Sequence, residues 1–306
     1  MNSQTSTQSN PKSAAAATPG AKTGGAVINR LSKAAGAELL GVDLTGPVSE
    51  AVRREIVDAL EQHHVLVVRG QKRLGDDEFL GFAAMFGPGE KNFVLNADGT
   101  RMNLVHEVHN LDEHGNPAVK PYHNSNFFWH SDKSYREMPT FVTMLQPVEL
   151  PPDGGDTQFA NLLAAYDALP AEKKTAIDGL KVEHSLEHMR KMLDERALTA
   201  EEKRDSPPQV HPLVRTHPVT GEKSLYLGMY CARIIGMPEK ESRALIDELE
   251  AFATQPQFIY THKWMPGDVI AWDNRWLIHR AMPNFAMEKH RRVLRRTVVK
   301  GTEVPA

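Results

Sequence analysis

The sequence predicts a mainly β fold with flanking helices (α+β), built around an antiparallel double-sheet barrel. Three observations lead there. Short β-branched or aromatic runs recur along the chain, most of them bounded by glycine or proline. Helical periodicity is concentrated near the start and in inserted stretches, rather than following each strand. A parallel βαβ sheet needs that alternation, so two packed antiparallel sheets fit better.

Residues 1–25 hold no large apolar side chain after Met1, so nothing there offsets the entropy of ordering. A disordered tail is expected over 1–25 and a single domain over 26–306. Residues 49–62 predict a helix, with Ser49 as N-cap and Val52, Ile56, Val57 and Leu60 on one face. The run VLVVR at 65–69 ends at Gly70 and reads as a buried strand. A second helix over 76–86 is stopped by Gly87 and Pro88. Residues 89–128 are rich in Asn, Gly, His and Pro around one expected strand, 103–108. So long an irregular stretch reads as a lid or binding loop. Strands are expected at 140–146 and 155–159, then a charged helical stretch over 171–203, inside an insert of about 165–205. Later strands are expected at 213–216, 224–227, 258–264, 268–272 and 293–299, interrupted by a helix over 239–254. No internal repeat is visible.

Composition narrows the function. With 306 residues, 41% of them hydrophobic, the chain can build a sizeable core. Its 36 Lys+Arg against 39 Asp+Glu give a net charge of -3. That balance offers no field for nucleic acid or an anionic membrane. No window approaches the ~20 apolar residues that span a bilayer. The single cysteine, Cys231, excludes an internal disulfide framework and a Cys-rich zinc site. Without a supporting motif it reads as a small buried hydrophobe. The N-terminus shows neither a secretory h-region nor a transit peptide, so a cytoplasmic location is expected. The 14 histidines are the one compositional hint of chemistry.

Four motifs carry that hint further. In Trp129-His130-Ser131-Asp132, an extended backbone turns residues 130 and 132 to one side, where both can bind one metal ion. Taken alone, this motif reads more readily as a solvated surface turn. Residues 272–279 (WDNRWLIH) run from a strand through a polar turn to His279. A lone histidine beside Leu and Ile is usually a core residue, but two histidines and one carboxylate make the facial triad of non-haem iron oxygenases. Gly154-Gly155-Asp156-Thr157 is a turn entering a strand, and offers a hydroxyl at Thr157. In RRVLRRT at 291–297, strand alternation puts Arg292, Leu294 and Arg296 on one face. Two inward guanidiniums each need an anionic partner, from the protein or from a ligand.

Together and in this order, WHSD, GGDT, WDNRWLIH and RRVLRRT resemble the Fe(II)/2-oxoglutarate-dependent dioxygenases of the taurine dioxygenase and 2,4-dichlorophenoxyacetate dioxygenase family. The resemblance runs from about Ala37 to Val299, helped by AELLGVDL at 37–44, LVVRGQ at 66–71, LLAAYDALP at 162–170 and HPLVRTHP at 211–218. It implies a double-stranded β-helix, a jelly-roll or cupin-like barrel with helices packed on one side. It also implies that His130, Asp132 and His279 ligate Fe(II). Thr157 and Arg292 would bind 2-oxoglutarate, Arg292 at the C5 carboxylate. Arg296 would meet the anionic group of the primary substrate, with Asn126 nearby. The implied reaction consumes O2, releases succinate and CO2 and hydroxylates the substrate. Beside a heteroatom the product would collapse with C–O or C–S cleavage. The carboxylate at Asp132 favours hydroxylation over halogenation.

Two departures from the family pattern stand out. The His279-to-Arg292 gap is slightly longer than in taurine dioxygenase, so the turn over 283–289 is expected to differ. Residues 89–93 lack the histidine that taurine dioxygenase uses for sulfonate, which speaks against taurine itself. The expected substrate is a small organic anion, aryloxyalkanoate-, sulfonate- or sulfate-ester-like. Phe93, Met102, Phe127 and Phe128 are expected to wall its apolar part. Members are often dimers or tetramers, and the sequence leaves a homo-oligomer open.

Two rival readings remain at this point. His184, Glu187 and His188 fit the H-x-x-E-H pattern of a zinc metallopeptidase, whose histidines would share a helix face. A non-catalytic metal-binding cupin would use the triad alone, and would leave Arg292 and Thr157 without purpose.

Overall fold

A computed structural model describes residues 26–90, 104–119, 124–217 and 220–306. The expected tail over 1–25, part of the loop at 91–103 and 120–123, and with it Phe93 and Met102, lie outside the described residues. The chain opens with β1 (Val27–Arg30), β2 (Ala37–Leu40), α1 (Glu50–His63), β3 (Val65–Val68) and α2 (Asp76–Ala84). Next come β4 (His106–His109), β5 (Val142–Glu149), β6 (Thr157–Asn161), α3 (Leu162–Ala168) and α4 (Ala171–Ile177). The middle holds β7 (Lys181–His184), α5 (Leu186–Met192), α6 (Ala200–Asp205), β8 (Gln209–Pro212), β9 (Val214–Thr216) and β10 (Lys223–Leu225). It closes with β11 (Cys231–Ile234), α7 (Glu239–Ala253), β12 (Ile259–His262), β13 (Val269–Asp273), β14 (Leu277–Ala281) and β15 (Val293–Val299).

A seven-stranded sheet, in the order β1-β2-β3-β13-β5-β15-β4, faces a three-stranded sheet, β12-β6-β14. The alternation of side chains shows why they pack. In β3, Leu66 and Val68 join a cluster with Ile56, Leu60, Phe79 and Phe82 of the two N-terminal helices. Val65 and Val67 join Phe159, Tyr260 and Leu277 of the facing sheet. Covered on both faces, the strand reads as an unbroken apolar run. β13 repeats the device, with Val269 and Ala271 toward the helices and Ile270 and Trp272 toward the barrel interior. In β5, Val142 and Met144 point to the helices and Leu145 points inward. β15 follows the same parity: Leu294 lies inside, whereas Arg295 turns out to Asp76 and over the Phe79 ring of α2.

The jelly-roll core with helices on one side agrees with the expected fold class, and several elements differ in detail. β2 pairs in parallel with β3 through the α1 crossover, so one βαβ unit sits beside the antiparallel strands. Residues 171–203 are not helical throughout. Within them β7 buries Val182 and His184 and pairs with β8 and β11. The strand expected over 103–108 is found at His106–His109. Strands β1, β2, β8, β11 and β14 were not among the expected elements. No helix among the described residues is long and apolar enough to cross a membrane.

α1 shows how local chemistry fixes an element and ties it to the barrel. The Ser49 hydroxyl accepts the Val52 N–H at 3.3 Å, capping the first turn. The helix ends where His64 takes a left-handed φ of 63°, donating its N–H to the Leu60 carbonyl. The His64 carbonyl then accepts the Asp273 N–H at 2.9 Å, joining the helix end to the end of β13. Its ring lies against Trp276, and burial pushes its pKa down to about 4, with Asp273 only partly opposing this. The folded state therefore binds fewer protons than the unfolded chain below pH 6.5. This contribution is complete above 6.5 and is lost as pH falls toward 4. His64→Asn tolerates the left-handed turn and removes that titration. Thermal melts from pH 7.5 to 4.5 should show a shallower acid decline in the variant; parallel curves would contradict it.

Candidate active site

His130 and Asp132 stand where the chain approaches the end of β14. His130 exchanges two backbone hydrogen bonds with His279, at 3.1 and 2.8 Å. That pairing brings the two imidazoles to a ring separation of 4.2 Å. The extended backbone separates neighbours as expected. Ser131 points away and donates to the Asn274 carbonyl at 3.0 Å, while residues 130 and 132 share the inner side. Lys133 then turns the chain with a φ of 52°, and its ammonium pairs with Glu90 at 3.1 Å.

His130 Nε2 lies 3.7 Å from one carboxylate oxygen of Asp132, and His279 Nε2 lies 3.7 Å from the other. Both distances exceed a hydrogen bond. The tautomer of His130 follows from its other nitrogen, since Nδ1 is 2.8 Å from the Phe128 carbonyl, which can only accept. Nε2 therefore presents a lone pair toward the lone pairs of a carboxylate. Two acceptors facing each other are relieved by a cation between them. All three ligand atoms lie within 4.8 Å of one another, and this is the only group of three or more His, Cys, Asp or Glu side chains with such spacing among the described residues.

The charge states suit a metal. Burial pushes both imidazoles below the ordinary histidine range, His279 furthest, so both are neutral ligands near pH 7. Burial alone would raise the Asp132 carboxyl. Arg296, followed by the two histidines and the Thr143 hydroxyl, outweighs burial and holds the carboxyl well below the usual range. Arg296 pairs with Asp132 at 2.6 Å, and Thr143 donates to it at 2.5 Å.

At another wall of the same cavity stands Arg292. Its Nε donates to the Gly155 carbonyl at 2.7 Å and one terminal nitrogen to the Thr157 hydroxyl oxygen at 3.1 Å. Trp264 Nε1 also donates to that oxygen, at 3.0 Å. With two donors already on it, the hydroxyl directs its own proton elsewhere. Burial lowers the Arg292 pKa to about 10, so the group remains charged at neutral pH. No carboxylate among the described residues comes within ion-pair distance of it. The two inward guanidiniums thus differ: among the described residues Arg296 has a carboxylate partner in Asp132, and Arg292 has none within ion-pair distance.

These groups border one small cavity. Besides the six residues above, it is lined by Asn126, Val108, Leu145, Trp272 and Ala281. All seven residues singled out in the sequence border it: Asn126, His130, Asp132, Thr157, His279, Arg292 and Arg296. Sheet register explains the convergence. On adjacent strands His279 faces Phe159 and Ala281 faces Thr157, so these four side chains alternate onto one inner surface. Phe128 is exposed, and Phe127 does not border the cavity.

The metallopeptidase reading fails here. His184 ends β7, and Ser185 caps α5 by accepting the His188 N–H at 3.1 Å, so the two histidines do not share a helix face. His184 is buried against Ser134, and Glu187 is on the surface, bonded to Lys203 at 2.7 Å. Several supporting residues were not read from the sequence. Asn110 accepts the Arg292 N–H at 2.7 Å, Asn284 accepts the Gly155 N–H at 2.8 Å, and Tyr230 stands edge-on to His130. Only Asn274, inside WDNR, lay within a motif.

Gly155 sets how near Arg292 comes to the turn. With φ at +70°, an added Cβ would sit 2.9 Å from Pro151 and 3.2 Å from the Arg292 side chain. Gly155→Ala should therefore cost at least about 1–2 kcal/mol from the left-handed backbone alone. Chemical denaturation measures this, and an unchanged midpoint would contradict it.

The family model "Taurine catabolism dioxygenase TauD, TfdA family" matches residues 28–298. The chain is 37% identical over 245 residues to an alpha-ketoglutarate-dependent 2,4-dichlorophenoxyacetate dioxygenase of Burkholderia sp. (strain RASC), covering 78% of this chain and 82% of that protein. It is 34% identical over 287 residues to an alpha-ketoglutarate-dependent sulfate ester dioxygenase of Pseudomonas putida, covering 88% and 87%. Among solved structures, AAD-2 in complex with Mn(II) and N-oxalylglycine superposes with a TM-score of 0.81 at 36% identity, covering 92% of this chain and 98% of that one. The chain belongs to the TauD/TfdA dioxygenase family.

Proposed function

We propose that this protein is an Fe(II)- and 2-oxoglutarate-dependent dioxygenase that hydroxylates a small organic anion. The single observation that carries the reading is Arg292. It is a buried, charged guanidinium bordering the same cavity as the facial His-Asp-His group, and no carboxylate among the described residues comes within ion-pair distance of it, Asp156 acting on it only from farther away. Burying an unpaired charge is costly. A dicarboxylate bound in this cavity would remove that cost.

His130, Asp132 and His279 are the residues to hold Fe(II), which supplies O2 activation and the oxidative decarboxylation of 2-oxoglutarate when bound. Arg292 and Thr157 then take the distal carboxylate, the guanidinium by charge and the hydroxyl by its remaining proton. Trp272, Leu145 and Val108 keep the cavity wall apolar and limit the entry of water. Arg296 and Asn126 are placed to receive the primary substrate. An incoming anion competes with Asp132 for the Arg296 guanidinium.

Charge balance supports an anionic substrate. Asp132 contributes one negative charge, and Arg292 and Arg296 contribute one positive charge each. A ferrous ion brings the total to three positive charges, and a dicarboxylate leaves one. A monoanion completes neutrality in a site where residual charge is expensive. The relatives named for 2,4-dichlorophenoxyacetate and for sulfate esters both concern anions with an apolar body. Aryloxyalkanoates, alkyl sulfate esters and alkylsulfonates are therefore the classes to screen. A product hydroxylated next to oxygen or sulfur would release that heteroatom. The reducing cytoplasm, which keeps iron ferrous, suits this chemistry.

Succinate formation from 2-oxoglutarate, with Fe(II) and a panel of these anions, tests the reading. Wild type should release succinate in step with consumption of one anion class. Arg292→Ala should raise the half-saturating oxoglutarate concentration by roughly 10- to 100-fold, the worth of a charge-assisted bond. Metal-dependent folding with no succinate under any of these conditions would overturn it in favour of a non-catalytic binding protein.

A further inference from the structure

Asn274 stands in the turn between β13 and β14, is buried, and does not border the candidate active-site cavity. Its hydrogen bonds nevertheless reach the segment bearing Asp132, the edge of β5 and the end of β13. The amide oxygen accepts the Asp132 N–H at 3.2 Å and the Trp272 indole N–H at 3.2 Å. Both partners are obligatory donors, so the atom facing them is oxygen and the amide orientation is settled. The amide nitrogen consequently faces Thr143 Oγ1 at 3.0 Å and donates to it. A hydroxyl that accepts on that side turns its single proton away, and the atom there is Asp132 Oδ2, at 2.5 Å. The backbone completes the clamp: the Asn274 carbonyl accepts Ser131 Oγ and Arg215, and its N–H donates to the Phe141 carbonyl.

We propose that Asn274 and Thr143 form a two-step hydrogen-bond relay that positions the Asp132 carboxylate for metal binding. The relay rests on the reading of His130, Asp132 and His279 as the metal ligands. It holds the carboxylate from two sides, because Asn274 fixes the backbone at residue 132 and also dictates where the Thr143 proton points. Asp132 Oδ2 is thereby directed past His279 Nε2, and Oδ1 is left to Arg296 and His130. Asn274 and Thr143 are positioning residues and touch neither metal nor substrate. Partners of this kind typically change metal affinity 10- to 100-fold.

The test compares Thr143→Val, which keeps the shape and removes the hydroxyl, with Thr143→Ser, which restores it. A third variant, Asn274→Asp, replaces the donor that faces Thr143 with an acceptor and so pulls the hydroxyl proton away from Asp132. Mn(II) is the probe. Binding is read anaerobically by electron paramagnetic resonance of the free ion, without turnover, and the metal-free melting temperature of each variant is recorded alongside. Thr143→Val and Asn274→Asp should each weaken Mn(II) binding by roughly 10- to 100-fold, and Thr143→Ser should stay within about threefold of wild type. The double variant Thr143→Val/Asn274→Asp should bind no more weakly than the poorer single variant, since both act through one proton. If Asn274→Asp does not fold, the Val/Ser comparison decides alone. Wild-type affinity in Thr143→Val, or equal losses in the Val and Ser variants, would overturn the relay. Failure of wild type to bind Mn(II) in a His130-dependent way would instead overturn the metal site itself.

Discussion

An ionised carboxylate cannot be buried unless its surroundings answer its charge, and among the described residues the buried carboxylate that borders the cavity is Asp132. Four elements converge on it. β5 brings Thr143, β14 brings His279, β15 brings Arg296, and the turn after β13 brings Asn274. The two facing sheets make the convergence possible, because strand parity turns one set of side chains inward and sends the other to the helices. Arg295 and Arg296 illustrate the rule within one dipeptide: the first braces α2 from outside the barrel, and the second meets Asp132 inside it.

The two arginines of the cavity divide the work electrostatically. Arg296 compensates a charge the protein already carries, so without ligand the metal end is close to balanced. Arg292 is held by a carbonyl, a hydroxyl and the clamp of Asn110 on its backbone, and Asp156, beyond ion-pair distance, offsets its burial only in part. Such an arrangement is costly for stability, and under the proposed function a second anion answers the charge. It is the feature that separates a dioxygenase site from a barrel that merely stores metal.

Much of this was legible in the sequence where periodicity and chemistry agree. The runs at 65–68 and 239–253 declared their elements, and the alternation in RRVLRRT correctly sent residues 292 and 296 to the cavity. β14 was hidden because its five residues follow the polar turn Asn274-Arg275, and local polarity outweighs so short a strand. β7 was masked by the charged residues around it, its strand character coming from partners β8 and β11 far along the chain. The parallel pairing of β2 with β3 depends on where α1 lands, which no local pattern encodes. His184 was misread as helical although Ser185, an N-cap type, marks the helix start one residue later. Asn110, Asn284 and Tyr230 reach the site only through tertiary contacts, and their immediate sequence carries no sign of it.

The proposed function requires that one cavity join a two-histidine, one-carboxylate metal site to an anion site for the same ligand. Anaerobic titration of the protein with Fe(II) and 2-oxoglutarate tests this most directly, through the visible charge-transfer band of a chelated 2-oxo acid on iron. A band that appears only with both components, and is lost in His130→Ala, is the predicted result. A correctly folded wild type that binds Fe(II) and oxoglutarate independently, with no band, would contradict the account.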